Sequence, residues 1–300
     1  MVISTRSAQS AMQPQVAPRP FLKWAGGKNQ LIRQYLPYFP TEYQRYYEPF
    51  VGGGAVFFHL QPQQAVLTDI NRELINVYRC VRDEVEELIA RLEDHRHDHC
   101  AEHYYAVRSQ PTPADDTPDD LAESLLQRRH LDRAARFIYL NKTCFNGLYR
   151  ENSKGGFNVP LGSYKNPAIC DPDILRSDAE VLKSAQIKAA TFEHVLEHAT
   201  TDQDFVYFDP PYHPLTATSK FTSYSRYSFL EADQIRLRDV VIELCDRGVK
   251  VMLSNSDCPF VRDLYKDFHI HTIYASRNIN CNADKRGKIT EVLVTSYERV

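Results

Sequence analysis

The chain of 300 residues is short of several features that would mark particular classes of protein. Its formal net charge is −3, so no basic field covers the whole molecule, and any contact with nucleic acid must come from local patches. Its 7 cysteines form no Cys-x-x-Cys pair, and an odd, unpatterned set favours free thiols in a reducing cytoplasm over a disulfide framework. No apolar run approaches the length of a membrane span.

Two glycine-rich segments look like nucleotide-binding motifs, but each is incomplete. Gly26–Lys28 does not make a P-loop, because Leu22 stands where the first glycine belongs and Asn29 stands where Ser or Thr would hold Mg²⁺. Gly52–Gly54 does not complete the dinucleotide fingerprint, because Phe57 replaces its third glycine. The sequence therefore argues against a P-loop protein and weakens the case for a dinucleotide site.

The second glycine segment still begins a Rossmann-like unit. Residues 46–50 predict a strand, and the glycines after it let a ligand approach the backbone before a helix begins. The next strand, 65–68, ends in Asp69, where an acid can accept hydrogen bonds from both hydroxyls of a ribose. Asp69 can also belong to a helix N-cap, and the two roles can coexist. A site that can bind a nucleoside but lacks the full set of pyrophosphate contacts suits S-adenosylmethionine better than NAD.

Trp24 and Lys28 flank the first glycine pair. We interpret this segment as a flexible turn that places both side chains near a ligand. A tryptophan in the core and a solvated lysine would give the same sequence, so these residues alone do not decide between the two interpretations.

The apolar run 205–208 predicts a buried strand that ends in a stiff turn, Asp209–Tyr212, because proline fixes φ and donates no backbone N–H. The Asp209 carboxylate and the carbonyls of Asp209 and Pro210 can accept both N–H groups of an exocyclic amine. The Tyr212 ring can then lie against the plane of the base. An ordinary turn with a tyrosine in the core is the alternative.

The order of the segments predicts an α/β fold with one mostly parallel, Rossmann-like sheet. Ligands bind such sheets at the carboxyl ends of the strands, where the glycine turn, Asp69, Asp209 and Asn255 lie. We expect a catalytic domain formed by 19–71 and 169–300, a mainly helical insert over 72–168, and a disordered tail over 1–18. The predicted strands are 46–50, 65–68, 187–192, 205–208, 249–253, 268–275 and 289–298.

The segment 141–167 interleaves asparagine, glycine, aromatic and basic residues. This composition favours a β-hairpin or loop that contacts phosphates and base edges of DNA, although an irregular surface loop would look similar. Arg150 can bond O6 and N7 of one guanine, and Leu148 can contact a thymine methyl group. A second basic loop, around Arg277 and Lys285, could hold a phosphate backbone.

A histidine cluster precedes this segment. Its spacing of one helical turn would allow a metal site, but it matches no standard zinc pattern and is interleaved with charges. We therefore expect a solvated helix face and no metal. The cluster consists of His95, His97, His99, Cys100 and His103.

Five motifs follow one another along the chain: Phe21–Lys28 (FLKWAGGK), Glu48–Gly54 (EPFVGGG), Asn146–Arg150 (NGLYR), Phe157–Pro160 (FNVP) and Asp209–Tyr212 (DPPY). Together they resemble the Dam-type, D12 class DNA adenine-N6 methyltransferases. The likeness runs from about residue 20 to residue 298. The set is specific in combination, although Asp-Pro-Pro-Tyr alone also occurs in cytosine-N4 enzymes.

The resemblance implies an S-adenosylmethionine-dependent methyltransferase sheet, with the insert as a target-recognition domain, acting on GATC in double-stranded DNA. It implies cofactor contacts at Trp24, Lys28, Asp69 and Asp209, base-reading positions at Leu148, Arg150 and Pro160, and an aromatic wedge at Phe145. The full candidate set is: for catalysis, Asp209, Pro210, Pro211 and Tyr212; for the cofactor, Trp24, Lys28, Glu48, Phe50, Gly52, Gly54, Asp69, Phe192 and Asp209; for DNA, Phe145, Asn146, Leu148, Arg150, Asn152, Pro160, Arg277 and Lys285.

The expected mechanism is direct methyl transfer to an adenine flipped out of the duplex. Hydrogen bonds from N6–H to Asp209 and to the Pro210 carbonyl favour a more nucleophilic nitrogen, and positioning supplies much of the rate. Neither a metal nor a covalent intermediate is needed. The alternatives are methylation of cytosine N4 or another amino group, and a non-catalytic DNA-binding protein with the same fold. In a restriction–modification system, a cognate restriction endonuclease would be a further partner.

Overall fold

The computed structural model describes residues 16–110, 123–152, 156–215, 229–276 and 288–298, except the side chains of 123–127, 276, 288 and 289. Most of the tail predicted over 1–18 therefore lies outside the described residues. Its last residues are described, and the Val16 carbonyl accepts a hydrogen bond from the Ser177 hydroxyl at 2.6 Å. Among the described helices, none has the length and apolar character that crossing a membrane requires.

The strands of the described residues form one seven-stranded sheet. Their bounds are β1 Arg45–Glu48, β2 Ala65–Asp69, β3 Ala185–Ala189, β4 Asp204–Phe208, β5 Lys250–Ser256, β6 His269–Ser276 and β7 Lys288–Thr295. The order across the sheet is β3-β2-β1-β4-β5-β7-β6. Strands β3, β2, β1, β4 and β5 are parallel, whereas β7 lies antiparallel between β5 and β6. The predicted α/β class and mostly parallel sheet are confirmed.

The predicted strand 187–192 is displaced in the structure. Strand β3 ends at Ala189, and Phe192–Glu197 forms a 3₁₀ helix instead. The reason lies in the spacing of the apolar residues, because Phe192 and Val195 are three positions apart and are both buried. That spacing brings both side chains to one side of a helical turn, whereas in a strand they would face opposite sides.

Helices cover both faces of the sheet: α1 Ile32–Tyr35, α2 Ala55–Leu60, α3 Arg72–Asp83, α4 Val85–His97, α5 Ala101–Ser109, α6 Glu123–Thr143, α7 Pro172–Leu182, α8 Glu231–Asp246 and α9 Pro259–Leu264. Strand β4 serves both cores because successive side chains point to opposite faces. Phe205 and Tyr207 join the core that includes α3 and α6, while Val206 and Phe208 join the core that includes α8.

Helix α3 packs with the sheet, although the sequence assigned it to the insert. The Asn71 side chain caps its first turn by accepting from the Leu74 N–H at 3.1 Å. Leu74 and Tyr78 lie in the same core as Phe21 and Phe58. A separate, smaller core is formed by α5, the end of α6 and apolar residues between 157 and 169. Domain boundaries at residues 72 and 168 stay a prediction.

The segment that follows α6 folds back on itself as a short hairpin. Cys144 bridges Leu161 and Glu151 bridges Phe157, both in antiparallel fashion. The Asn158 N–H donates to the Arg150 carbonyl at 3.2 Å. We call residues 144–161 the recognition hairpin, after the DNA contacts that the sequence predicts for this segment; residues 153–155 lie outside the described residues. The hairpin or loop expected from the composition is therefore present.

Candidate active site

The turn after β4 carries a carboxylate that is held by two partners. The Asp209 Oδ1 atom lies 2.7 Å from the Lys28 Nζ atom and accepts a hydrogen bond from the Ser254 hydroxyl at 2.7 Å. The Lys28 side chain is only 5% exposed, and its ammonium group also donates to the Gly26 carbonyl at 2.7 Å. Lys28 is therefore buried beside Asp209 and is not the solvated lysine of the alternative interpretation. The placement of this turn near a ligand stays a prediction.

Polar side chains from α8 and β5 fix the rest of the turn. The Gln234 amide donates to the Pro211 carbonyl at 2.9 Å, and the Asn255 amide donates to Gln234 at 3.0 Å. The Asn255 carbonyl oxygen accepts from the His213 N–H at 3.1 Å. The two prolines cannot donate backbone hydrogen bonds, so these side chains are what ties the turn to the sheet.

Tyr212 lies beside this carboxylate and has two polar neighbours of its own. Its hydroxyl donates to Glu291 Oε2 at 2.8 Å, and Lys28 Nζ lies 4.8 Å from the centre of its ring. Burial, followed by the nearby Tyr35, Asp209 and Glu291, raises the pKa of Tyr212 well above its usual value. The hydroxyl is therefore protonated at neutral pH and acts as the donor.

The second glycine segment packs closely against the Trp24 side chain. Gly52 and Gly54 have φ of +47° and +68°, in the left-handed region that favours glycine. A Cβ atom at Gly52 would lie 2.8 Å from the Trp24 ring, and one at Gly54 would lie 2.7 Å from the Tyr78 hydroxyl. Trp24 therefore lies directly on the turn.

Asp69 lies at the end of β2 and points toward the glycine turn. Its carboxylate accepts from the Gly52 N–H at 3.2 Å and from the Asn71 N–H at 2.9 Å. Burial raises the pKa of Asp69 to about 6, and the backbone hydrogen bonds oppose this shift. The capping side chain of α3 is Asn71, so the cap that the sequence placed in this region belongs to Asn71 while Asp69 holds the glycine turn.

The remaining candidate cofactor residues divide between the two cores. Glu48 is 2% exposed and accepts from the Tyr46 hydroxyl at 2.7 Å. Burial raises the pKa of Glu48 to about 8, which leaves it neutral at pH 7. Phe50 and Phe192 stack on each other with ring centres 5.6 Å apart, in the core that contains α8.

The candidate DNA residues lie along the recognition hairpin. Phe145 is 50% exposed, and Asn146 has φ of +57°, which turns the chain sharply after α6. The Arg150 Nε atom donates to Asn158 Oδ1 across the hairpin at 2.8 Å. Leu148 is partly buried, Pro160 is exposed, and Asn152 accepts from the Gly156 N–H at 3.0 Å. Arg277 and Lys285 lie outside the described residues.

One buried amide, which the sequence did not single out, connects the hairpin to the active-site segment. The Asn141 side chain is fully buried, accepts from the Lys23 N–H at 2.9 Å and donates to the Lys23 carbonyl at 2.7 Å. It also donates to the Gly147 carbonyl at 3.2 Å. Trp24 continues this connection, since its ring is stacked with Phe137 and Tyr149 at 6.4 and 6.1 Å.

Of the histidine cluster, His97 and Cys100 are exposed as the sequence predicted, whereas His95, His99 and His103 are half-buried and not part of a solvated face. His95 stacks on the Tyr139 ring at 4.7 Å and its Nδ1 atom lies 3.0 Å from His103 Nε2. The His99 Nδ1 atom lies 2.9 Å from the Tyr139 hydroxyl. Burial lowers the pKa of His95 to about 4. Tyr139 comes from α6, far from these histidines in the sequence, so the local sequence could not identify it as their partner.

A different group brings histidine and carboxylate atoms close together within the described part of the chain. It consists of His194, Glu197 and His198 on the 3₁₀ helix after β3. The Glu197 carboxylate lies 2.9 Å from His194 Nδ1, while His194 Nε2 lies 3.2 Å from His198 Nε2. Only two nitrogens converge on one point, and the carboxylate binds the far side of the His194 ring.

Comparison with known proteins assigns this chain to a family. The family described as "D12 class N6 adenine-specific DNA methyltransferase" matches residues 24–279, which include the Lys28–Asp209 pair and the recognition hairpin. The chain belongs to this family. The resemblance drawn from the five motifs is confirmed, and so is the expectation of an adenine-specific DNA methyltransferase.

Individual relatives agree with this assignment over nearly the whole chain. A type II methyltransferase of Lactococcus lactis subsp. cremoris is 48% identical over 93% of this chain and 95% of its own length. Another type II methyltransferase, of Methanocaldococcus jannaschii, is 43% identical over 93% of this chain and 99% of its own length. The DNA adenine methylase of Escherichia coli K12 is 34% identical over 92% and 94%. The enzyme thus acts on DNA.

Several residues of the site were not predicted from the sequence. Ser254 and Gln234 contact Asp209 and the turn after it, and Glu291 contacts Tyr212. Ser254 could have been found, because it ends the apolar run of β5 at the ligand-binding edge of the sheet. Glu291 could not be found by that rule, because β7 is antiparallel and brings its beginning, not its end, to this edge.

Proposed function

We propose that this methyltransferase transfers a methyl group from S-adenosylmethionine to N6 of adenine within GATC in double-stranded DNA, with the adenine flipped into the site. The observation that carries the proposal is the Asp209 carboxylate, fixed by Lys28 and Ser254 beside the Tyr212 ring. An acceptor and a flat ring at the end of a central strand suit an exocyclic amine on a purine.

The residues on the other side of the site suit S-adenosylmethionine. The glycine turn leaves no room for a Cβ atom at Gly52 or Gly54, and Trp24 lies against it. Asp69 supplies carboxylate oxygens for ribose hydroxyls at the end of the adjacent strand. Neutral Glu48, Phe50 and Phe192 lie farther along the same edge. When bound, S-adenosylmethionine supplies an electrophilic methyl group on its sulfonium.

The protein's part in the reaction is to hold the amine. Both existing contacts of Asp209 use Oδ1, and we assign Oδ2 to one N6–H and the Pro210 carbonyl to the other. Two acceptors draw the N6 lone pair out of conjugation with the ring, which makes the nitrogen a better nucleophile. Flipping removes the adenine from the bases that stacked on it in the duplex. The Tyr212 ring takes the place of one of them by covering one face of the base.

The recognition hairpin is the part of the proposed target-recognition region, 72–168, that contacts DNA. Asn158 holds the Arg150 guanidinium by Nε, which presents it as a preset donor for one guanine. We assign Leu148 and Pro160 to base contacts and Phe145 to the space left by the flipped base. Asn146 and Asn152 are assigned to neighbouring groups of the DNA. Arg277 and Lys285 are assigned to phosphates. The type II relatives favour a cognate restriction endonuclease as a further partner.

The target is tested by incubating unmethylated genomic DNA with the protein and S-adenosylmethionine and sequencing it with a method that detects N6-methyladenine. The proposal predicts methylated adenine at nearly every GATC and at few other sites. Methylation centred on another sequence would reject GATC while leaving the adenine chemistry intact.

The role of Arg150 is tested on duplexes that differ from GATC by one base pair. Arg150→Ala should cost about 1–3 kcal/mol on the cognate duplex and relax discrimination at a single guanine. The matched control is Lys165→Ala, an exposed lysine just beyond the hairpin, which should weaken all duplexes alike and lower the salt dependence of binding. Equal slowing of every duplex by Arg150→Ala would show that Arg150 does not read a base.

A further inference from the structure

Glu291 lies at the active site although it comes from the last strand of the sheet. In the antiparallel pairing, Glu291 lies opposite Ser256 of β5 and Ile273 of β6. Ser256 follows Ser254, the residue whose hydroxyl holds Asp209. The carboxylate of Glu291 therefore reaches the same edge of the sheet as the turn after β4.

The contact that Glu291 makes there is with the one aromatic ring of that turn. Its Oε2 atom accepts from the Tyr212 hydroxyl at 2.8 Å. Lys28 approaches the same ring at 4.8 Å from its centre. A tyrosine side chain has two soft torsions, so a contact at the hydroxyl and another on the face together fix the plane of the ring.

The contact is partly buried and lies beside the Lys28–Asp209 pair. Lys28 pairs with Asp209 at 2.7 Å, so Glu291 is a second carboxylate near a cation that is already engaged. Burial and Asp209 raise the pKa of Glu291, whereas Lys28 and the Tyr212 hydroxyl oppose that rise. A donor of this kind is costly to leave unpaired, and a carboxylate oxygen or an amide oxygen at this position can accept its hydrogen bond.

We propose that Glu291 is a positioning residue for methyl transfer: it holds the Tyr212 hydroxyl and thereby fixes the ring against which the target adenine lies. The inference rests on the proposed function of Tyr212 and adds a residue that lies 79 positions away in the sequence. In this proposal Glu291 touches neither reactant and acts on the rate by holding the Tyr212 hydroxyl.

The test is a double-variant cycle on methyl transfer in single turnover, with saturating S-adenosylmethionine and a GATC duplex. Glu291→Met keeps the length of the side chain and removes the acceptor, and Tyr212→Phe keeps the ring and removes the donor. Each should slow the transfer step roughly tenfold, the loss expected when one partner of a hydrogen bond is removed. The double variant should be no slower than either single variant, because both remove the same interaction.

Two further measurements separate positioning from general damage. S-adenosylmethionine affinity, measured by calorimetry, should stay within about twofold of wild type in Glu291→Met. A 2-aminopurine base at the target adenine should show a smaller fluorescence change in Glu291→Met and in Tyr212→Phe alike. Glu291→Gln keeps an oxygen acceptor and should restore most of the rate. The matched control is Glu298→Met, which alters an exposed carboxylate just after the same strand.

The outcomes that overturn the inference are distinct from failure of the proposed function. Losses that multiply in the double variant, an unchanged rate in Glu291→Met, or weakened cofactor binding in Glu291→Met each reject Glu291 as a residue acting through Tyr212. If Glu291→Met does not fold, Glu291→Gln and its combination with Tyr212→Phe complete the cycle, and multiplying losses there reject the inference. If the wild-type protein methylates no adenine in the duplex, the proposed function itself fails.

Discussion

At the scale of single residues, burial decides the charge of the carboxylates around the proposed cofactor site. Asp69 and Glu48 have pKa values raised by burial to about 6 and about 8. At pH 7 Asp69 is therefore mostly a carboxylate, able to accept from hydroxyls, while Glu48 is mostly neutral and leaves no negative charge in the core. The two acids differ because Asp69 receives more backbone N–H donors.

This difference predicts a pH dependence for the cofactor. Because only the carboxylate form of Asp69 accepts two hydroxyls, S-adenosylmethionine affinity should fall as the pH drops through about 6, where binding must release a proton. Asp69→Ala should weaken binding by about 1–3 kcal/mol at pH 7.5 and abolish this dependence. Calorimetry between pH 5 and pH 7.5 measures both quantities.

The control for this prediction is Asp202→Ala, which removes an exposed carboxylate away from the glycine turn and should leave affinity and its pH dependence as in wild type. Equal affinity of Asp69→Ala and wild type at pH 7.5 would show that Asp69 only holds the glycine turn.

At the scale of elements, the recognition hairpin depends on the end of α6. Asn141 makes three hydrogen bonds to backbone groups of Lys23 and Gly147 with a fully buried side chain. Since Lys23 precedes Trp24 and Gly147 precedes Leu148, this one amide ties the hairpin to the segment that carries Trp24 and Lys28.

Loss of that amide should therefore affect both stability and DNA binding. Asn141→Ala leaves three backbone groups without this partner. A buried group left unpaired costs about 1–3 kcal/mol, and water replaces part of the loss at the exposed Lys23, so the free energy of unfolding should fall by about 2–4 kcal/mol. Urea denaturation measures the loss, and Asn166→Ala, at an exposed position, is the control. A change below about 0.5 kcal/mol, the range of ordinary surface substitutions, would contradict the role given to Asn141.

The elements themselves were largely predictable, and the exceptions have physical causes. The strands were found because buried strands of a parallel sheet are short apolar runs, such as 205–208. Strand β3 was misplaced, because Phe192 was included in it, whereas Phe192 and Val195 lie at i, i+3 spacing on a 3₁₀ helix. The histidine cluster was taken for a solvated face, since its partner Tyr139 comes from α6, a helix distant in sequence.

At the scale of the whole molecule, the topology decides what sequence patterns can and cannot predict about the site. Asp69 and Asp209 both follow parallel strands, so the rule that ligands bind at carboxyl ends finds them. Glu291 enters from an antiparallel strand, and Asn141 acts on a segment 118 residues earlier in the sequence. Neither leaves a local signal, because each works through a contact that only the folded chain creates.

The order of the sheet also explains why one site can serve two ligands. The glycine turn and Asp69 follow β1 and β2, whereas Asp209 follows β4, the neighbour of β1 on its other side. The proposed cofactor residues and the proposed amine-binding turn thus share one edge on either side of β1. Lys28 connects these two sets of residues. It comes from the segment that covers the glycine turn, and its ammonium group contacts Asp209.

The measurement that tests this account most directly is single-turnover methyl transfer by Asp209→Ala to a GATC duplex, with binding of S-adenosylmethionine and DNA measured on the same preparation. The account predicts a loss of roughly 10²-fold or more in the transfer step, because the acceptor aimed at the reacting amine is gone. It also predicts a folded protein that still binds DNA. Transfer at close to the wild-type rate by a folded Asp209→Ala protein would contradict the central claim that this carboxylate holds the adenine amine.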